Sequence, residues 1–312
     1  MVEIRRYNAS LADEWNRFVA TSKNGTFLFD RRFMDYHSDR FQDHSLMVLD
    51  DQRVYALLPA NQRGDVLESH GGLTYGGLVM GSRCSAQGVL EVFKAINDYL
   101  RRQHIRKVVY KAMPWIYHQL PADEDLYALT AVCQARLTVR DVSSAIVSTR
   151  RLKFAESRRS GLRKAFSAGL TVRQSEDVGA FWQILNDNLS RKYAVSPVHT
   201  ADELRLLQSR FPDNIRLWLV FNGDTPVGGT LLFLTPRVLH TQYISANAFG
   251  KKCGAIDLLF DQLINNVYAD YPVIDFGKST VGQCAALNER LIFQKEGFGG
   301  RAVCYDTYEY DL

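Results

Sequence analysis

The sequence predicts a two-domain α/β protein that uses one structural plan twice. Three observations carry this. The chain has 312 residues, which suits about two domains of roughly 150 residues each. A strand–turn–strand hairpin near residue 50 recurs near residue 220. In each half a strand bearing a histidine is followed by a loop, a helix and another strand.

In the first half, residues 45–49 read as a strand, 50–52 as a turn and 54–58 as the hairpin partner. A strand over 67–70 ends at His70 and precedes a Gly-rich loop, then a helix over about 87–102 and a strand over 107–110. In the second half the hairpin is 216–221, Asn222-Gly223-Asp224 and 227–233. The histidine strand is 239–244 with His240, the helix runs from 255 to about 268, and the strand is 273–276. Leu49 and Val220 lie 171 positions apart, and Val109 and Ile274 lie 165 apart, so the register drifts only by loop lengths. The reading is a structural duplication, with chance alternation as its competitor. The tail continues with Lys278-Ser279-Thr280, a helix over 286–293, a Gly-rich stop at 297–300 and a final aromatic strand. A strand, polar turn and Gly-stopped helix make a compact place to open a backbone cleft, which suits acyl transfer.

Composition removes several classes. Hydrophobic content of 46% and aromatic content of 12% belong to a well-packed globular chain. A net charge of +4 is too small for a dedicated nucleic-acid binder. Cys84, Cys133, Cys253, Cys284 and Cys304 are odd in number, scattered and without a C-x-x-C pair, so neither a disulfide framework nor a metal site is expected. The N-terminus lacks a signal-peptide core, and no run approaches the roughly 20 apolar residues of a spanning helix. A soluble cytoplasmic protein without membrane insertion is expected; oligomeric state is not legible. Residues 150–166 hold seven basic residues against one acid on a helical apolar stripe. The boundary is drawn there, giving domains 1–150 and 151–312.

Each candidate site has two readings. Gly250, Lys251, Lys252, Gly254 and Ala255 open a helix after Ile244 and either cradle a pyrophosphate on free N–H groups or form a solvated basic turn. Arg158, Arg159 and Arg163 either hold phosphates or present a solvated face. His70 precedes a loop in which four glycines surround Thr74 and Tyr75, and the loop admits a ligand or is a tight double turn. His199 is a base or a helix-entry residue ahead of Thr200, which with Glu203 makes a capping box. His240 is a catalyst or a core-edge histidine, and Tyr243 on the same strand joins it and His199 as a candidate proton relay. Lys295 stabilises an oxyanion or complements a helix dipole.

Two ordered stretches carry a resemblance. Ser157-Arg158-Arg159-Ser160-Gly161-Leu162-Arg163-Lys164-Ala165 with Gly169-Leu170-Thr171-Val172, and Asp275-Phe276-Gly277 with Phe293-Gln294-Lys295-Glu296-Gly297-Phe298-Gly299, look like segments of the GCN5-related N-acetyltransferase (GNAT) superfamily. Within it the chain resembles the tandem-domain FemAB-like branch, over nearly the whole second half. The resemblance implies an α/β (α+β) fold of two tandem GNAT-like domains, each a mixed sheet flanked by helices. The N-terminal one would serve the acceptor side and the C-terminal one donor binding and catalysis. It implies that Lys295 stabilises the transition state and that residues 250–254 sit where acyl-CoA enzymes hold pyrophosphate. His70, Tyr75, Arg158, Arg159, Arg163, Asp275, Ser279 and Asn288 become candidates for substrate contacts. The usual R/Q-x-x-G-x-G/A pattern is reduced here to Lys251-Lys252-Cys253-Gly254-Ala255-Ile256.

Three functions are therefore expected. The first is an N-acyltransferase moving an acyl group from acyl-CoA, such as acetyl-CoA, to an amine acceptor. The second is an aminoacyl-tRNA-dependent ligase acting on a cell-wall precursor. The third is a non-catalytic binding protein that retains the fold.

Overall fold

The computed structural model describes residues 2–193, 198–282 and 286–312. The chain forms two compact units, the first mainly Met1–Asp141 with Cys304–Leu312, the second mainly Val142–Val281 with Ala286–Val303. The sequence-derived boundary at 150 differs from this division: residues 142–150 pack with the second unit, and the last nine residues pack with the first.

Unit 1 runs β1 (Glu3–Arg6), α1 (Ala12–Thr21), α2 (Arg31–Met34), β2 (Gln42–Asp43), β3 (Leu46–Asp50), β4 (Arg53–Leu58), β5 (Asn61–Arg63), β6 (Val66–Ser69), β7 (Val79–Met80), α3 (Ala86–Arg102), β8 (Lys107–Lys111) and α4 (Glu124–Ala131). Then β9 (Arg136–Val147) begins in unit 1 and ends in unit 2. Strands β1, β3, β4 and β7 form an antiparallel sheet in that order. In a second set β2, β5 and β6 are antiparallel, while β6 runs parallel to β8. Helix α3 shows why these elements persist. Ser85 caps it by accepting the Gly88 N–H, and Val89, Val92, Phe93, Ile96 and Leu100 recur on one buried face. They join Leu46, Val48, Leu58 and Val108 in the core of the unit.

Unit 2 runs α5 (Glu156–Ser167), β10 (Thr171–Ser175), α6 (Val178–Tyr193), α7 (Ala201–Arg210), β11 (Ile215–Asn222), β12 (Thr225–Leu234), β13 (Val238–Ala246), α8 (Ala248–Cys253), α9 (Ala255–Gln262), β14 (Val273–Lys278), β15 (Thr280–Val281), β16 (Ala286–Leu287) and α10 (Glu289–Gly297). The last strand, β17 (Arg301–Asp311), begins in unit 2 and ends in unit 1, where Thr307–Asp311 pairs antiparallel with β8. Strands β10 to β13 are antiparallel neighbours, β13 is parallel to β14, and β14 is antiparallel to the unit 2 end of β9. Each unit thus contains a mixed sheet with helices, and unit 1 has the separate antiparallel sheet as well.

The repeated hairpin is matched in detail. In β3–β4 the pairs Val48↔Ala56, Leu49↔Val54 and Asp50↔Arg53 skip Tyr55. In β11–β12 the pairs Val220↔Gly228, Phe221↔Pro226 and Asn222↔Thr225 skip Val227. The bulge falls at the same place relative to the turn in both, an added residue that sharpens the local twist.

Three element boundaries depart from the sequence reading. The basic helix starts at Glu156 and not at 150, because Ala155 is extended and its N–H is held by the Gly297 carbonyl. The helix from 255 is α-helical only to Gln262 and finishes as a π turn over Leu263–Val267. The tail helix is Glu289–Gly297, capped by the Asn288 side chain on the Leu291 N–H, while Ala286–Leu287 pairs with Thr280–Val281. Apolar periodicity alone does not see that cap, so it starts the helix too early.

Candidate functional site

The parallel pairing of β13 with β14 lasts for three residues, Val238↔Val273, Leu239↔Ile274 and His240↔Asp275. Beyond Asp275 the chain bends at Gly277, whose φ of +71° suits glycine. Strand β13 continues to Ala246 along a path that β14 no longer follows. Just past the fork, Thr241 Oγ1 and Gln242 Oε1 are buried without a hydrogen-bond partner among the described residues. The end of β13 lines a cavity of about 410 Å³ through Ile244, Ser245 and Ala246, opposite Leu291, Gln294 and Lys295 of α10 and closed by Leu185, Asn188, Lys251 and Ile256.

Lys295 is 3% exposed. Its ammonium donates to the Gly277 carbonyl at 2.7 Å, the Lys278 carbonyl at 2.8 Å and Ser279 Oγ at 2.9 Å. Three donors meet three acceptors, so the side chain ties α10 to the turn after β14 while its charge borders the cavity. Burial pushes its pKa down to about 8, partly offset by nearby Asp275. Ser279 is fixed as well, its N–H on the Val142 carbonyl and its own carbonyl on the Asn288 N–H.

Asp275 is fully buried and accepts from His240 Nδ1 at 2.8 Å, from the Gly277 N–H at 3.1 Å and from the Ser143 hydroxyl. Three donors satisfy the carboxylate where it has no water, and they orient the His240 ring through Nδ1. A second pair joins Tyr243 of the same strand to the segment ahead of α7, His199 Nδ1 to Tyr243 Oη at 2.6 Å. Burial raises the Tyr243 pKa. The capping box of Thr200 and Glu203 is formed as expected and anchors the segment that carries His199. Of the four candidate catalytic residues, Lys295 lines the cavity, while His240, Tyr243 and His199 do not.

The glycine cradle is not an open loop. Residues 248–253 form a short helix with Asn247 as its cap, its side chain on the Gly250 N–H at 2.8 Å. A Cβ at Gly250 would lie 2.3 Å from the Val227 carbonyl oxygen, and one at Gly254 would lie 2.1 Å from that of Gly161. These glycines therefore let backbone pack on backbone, and Ala255 is buried. Lys252 is exposed and lines none of the cavities described here, whereas Ile244 and Lys251 do line one.

The basic helix is similarly occupied. Arg158 forms a 2.8 Å ion pair with Asp257 and lies over the Phe298 ring. Arg159 and Arg163 both reach the exposed Glu156, at 2.8 and 2.6 Å. Such surface pairs are weak and exchange readily for another anion. In unit 1, Tyr75 is buried, sharing a 3.0 Å hydrogen bond with Thr26 and packing on Tyr117. His70 stacks on His37, and burial together with that neighbour pushes its pKa down to about 3. A Cβ at Gly76 would sit 1.5 Å from the Ser69 carbonyl oxygen, so the four-glycine loop is the tight-turn alternative.

Sequence reasoning missed four residues at or behind the cavity. Asn188 donates to Ser245 Oγ at 2.6 Å and to the Ala246 carbonyl at 2.7 Å, and accepts from Lys251. Ser245 and Gln294 line the wall, and Ser143 holds Asp275 from β9. Gln294 stands next to Lys295 and was within reach of the motif; Ser143 and Asn188 carry no local signal.

Fold and cavity together make, in unit 2, a mixed sheet whose parallel pair parts beside a buried cation. Residues 152–282 match the family model described as an acetyltransferase (GNAT) domain. That match covers under half of the chain, and over its full length the chain shares the tandem, FemAB-like fold of the solved structures that follow. The crystal structure of FemX superposes with a TM-score of 0.68 at 11% identity, covering 99% of this chain and 97% of the other. The C-terminal domain of a putative lysylphosphatidylglycerol synthetase from Agrobacterium fabrum gives 0.62 at 12% identity, over 97% and 92%. A tandem GNAT protein from the clavulanic acid biosynthesis pathway gives 0.51 at 10% identity, over 100% and 98%. A search of curated protein sequences returns no match. The family match supports an acyltransferase domain over residues 152–282.

Proposed function

We propose that this chain is an N-acyltransferase that moves an acyl group from an activated donor to an amine acceptor, with the cavity beside Lys295 as its reaction centre. The observation that carries the reading is the parting of β13 from β14 beside a buried ammonium in an acetyltransferase-type domain. In the reaction the amine nitrogen forms a bond to the donor carbonyl carbon, whose oxygen gains negative charge, and the donor thiolate or ribose oxygen then leaves. Lys295 exchanges its bond to neutral Ser279 Oγ for the stronger charge-assisted bond to that oxyanion. The amine proton passes to a base, for which His240, oriented by Asp275, is the first choice and the His199–Tyr243 pair the second. The departing group takes up a proton by the same routes.

Acyl-CoA is the first donor of this proposal, with Ile244 and Lys251 on the cavity wall as its contacts and the acceptor a small-molecule or cell-wall-precursor amine. A specific observation favours a second donor, aminoacyl-tRNA: Gly250 and Gly254 are used in packing and leave no open pyrophosphate cradle. No helix among the described residues is long and apolar enough to cross a membrane, and we propose a cytoplasmic location.

One experiment separates the readings. Acetyl-CoA, longer acyl-CoAs and a non-hydrolysable aminoacyl-tRNA analogue are titrated against the melting temperature, since a specific ligand must raise it by mass action. A rise with acyl-CoA supports the first donor, and a rise only with the tRNA analogue, lost steeply with salt, supports the second. A flat response to all of them overturns both and favours a non-catalytic binding protein.

A further inference from the structure

Unit 2 holds a second cavity, of about 440 Å³, that shares no lining residue with the one beside Lys295. Its floor is apolar, built from Ile146, Phe154, Leu162, Ile264 and Phe298. Its volume lies within the range that holds small organic ligands. The polar part of the lining is mainly cationic: Arg151, Lys153 and Arg159, against the single acid Asp261, which already accepts from Asn265 at 2.9 Å.

Two details point to an occupant. Arg151 spends Nη1 on the Ile264 carbonyl at 2.7 Å, while its Nε is buried with no hydrogen-bond partner among the described residues. A buried donor left unpaired costs about 1–3 kcal/mol, and an anion is the partner that relieves it. The carbonyl that holds Arg151 belongs to the π turn Leu263–Val267, a backbone irregularity that in helices frequently marks a functional site. Lys153 is exposed and Arg159 is engaged by the solvated Glu156, so both can turn toward an incoming charge at little cost.

We infer that this cavity binds a single-chain amphipathic anion, its apolar body on the Phe154–Phe298 floor and its carboxylate or phosphate head against Arg151, Lys153 and Arg159. The site is independent of the proposed reaction centre. Neither half of the lining suffices alone: a small inorganic anion leaves the floor wet, and a neutral chain leaves the Arg151 donor unpaired.

The test is calorimetric titration of the full-length chain with decanoate, with decanol as the uncharged equivalent and inorganic phosphate as the chainless one. Decanoate is expected to bind saturably and at least about tenfold more tightly than either control. The double variant Lys153→Ala, Arg159→Ala, at positions outside the core, weakens decanoate by about tenfold or more, and Leu162→Phe, which fills the floor, abolishes binding with the melting temperature retained. If Leu162→Phe fails to fold, the double variant still decides. Absence of saturable binding overturns the proposal, as does decanol or phosphate binding as tightly as decanoate, or decanoate affinity unchanged in the double variant.

Discussion

Each unit contains one parallel strand pair among the described residues, and the two pairs end differently. In unit 1, β6 pairs with β8 from Val66↔Lys107 to Ser69↔Tyr110 and then stops, its continuation folding into the tight glycine turns. In unit 2, β13 outruns its partner and its far end faces a cavity. A lysine closes the region in both. Lys111 donates to the carbonyls of His70, Gly71 and Leu73 at 3.2, 3.0 and 3.1 Å, as Lys295 donates to Gly277, Lys278 and Ser279. The same ammonium clamp therefore has two uses, and what separates them is whether the strand edge beside it is filled or left open. One copy of a repeated plan stabilises a turn; the other holds a charge at the edge of a space.

The largest test of that contrast is Lys295→Ala against Lys111→Ala. Under the proposed function, Lys295→Ala lowers kcat/KM by about 10²–10³-fold, the usual cost of removing one oxyanion donor. Lys111→Ala is expected to lower the melting temperature while leaving turnover per folded molecule unchanged; loss of turnover there would erase the distinction. Filling the open edge with Ile256→Trp should raise KM for the donor by about tenfold, whereas an insertion of bulk at Tyr75 has no space to close. The pH profile comes next. Because the Lys295 pKa is pushed down to about 8, the rate that depends on its charge should fall as pH rises through about 8. For stability the sign is opposite: between about 8 and the ordinary lysine value the unfolded chain binds the extra proton, so this group's destabilising effect is relieved as pH rises. Urea denaturation of wild type and Lys295→Met across that window checks it.

A smaller effect belongs to unit 1. Asp125 is buried, with burial pushing its pKa up to about 7, and it accepts from Tyr110 Oη at 2.5 Å and the Leu126 N–H at 2.8 Å. A carboxyl with a raised folded pKa contributes stability below its unfolded value, and that contribution is lost as pH rises through about 7. Wild type should therefore lose stability relative to Asp125→Asn between pH 4.5 and pH 8, measured by denaturant midpoint. The smallest effect is at the surface: Glu156→Gln breaks two exposed pairs with Arg159 and Arg163, and the melting temperature should stay within error.

The fold was largely legible because its signals are local. The hairpins at 46–58 and 215–234, the histidine strands and the capping box at Thr200 are each written within a short stretch of chain, and the repeated hairpins and histidine strands exposed the tandem plan. Lys295 was legible through its motif. What escaped was set by contacts distant in sequence. Nothing near Gly254 announces that the Gly161 carbonyl will occupy the space beside it, so packing glycines read as either a phosphate cradle or a solvated basic turn. Arg158 read as a free cation because Asp257, its partner, stands 99 positions away. Ser143 was invisible for the same reason: its role exists only where β9 lies along β14, Ala145 opposite Asp275.

That last strand has a consequence for anyone who divides the chain. Each half of the tandem lends a strand to the other: β9 reaches into unit 2, and β17 returns to complete unit 1 beside β8. A gene fragment ending at residue 150 lacks the β17 segment Thr307–Asp311, and a fragment starting at 151 lacks Ser143 and the rest of the β9 edge. Neither should behave as a free-standing module. Co-expressed, the two pieces would behave as split-protein partners, each restoring the missing strand of its complement.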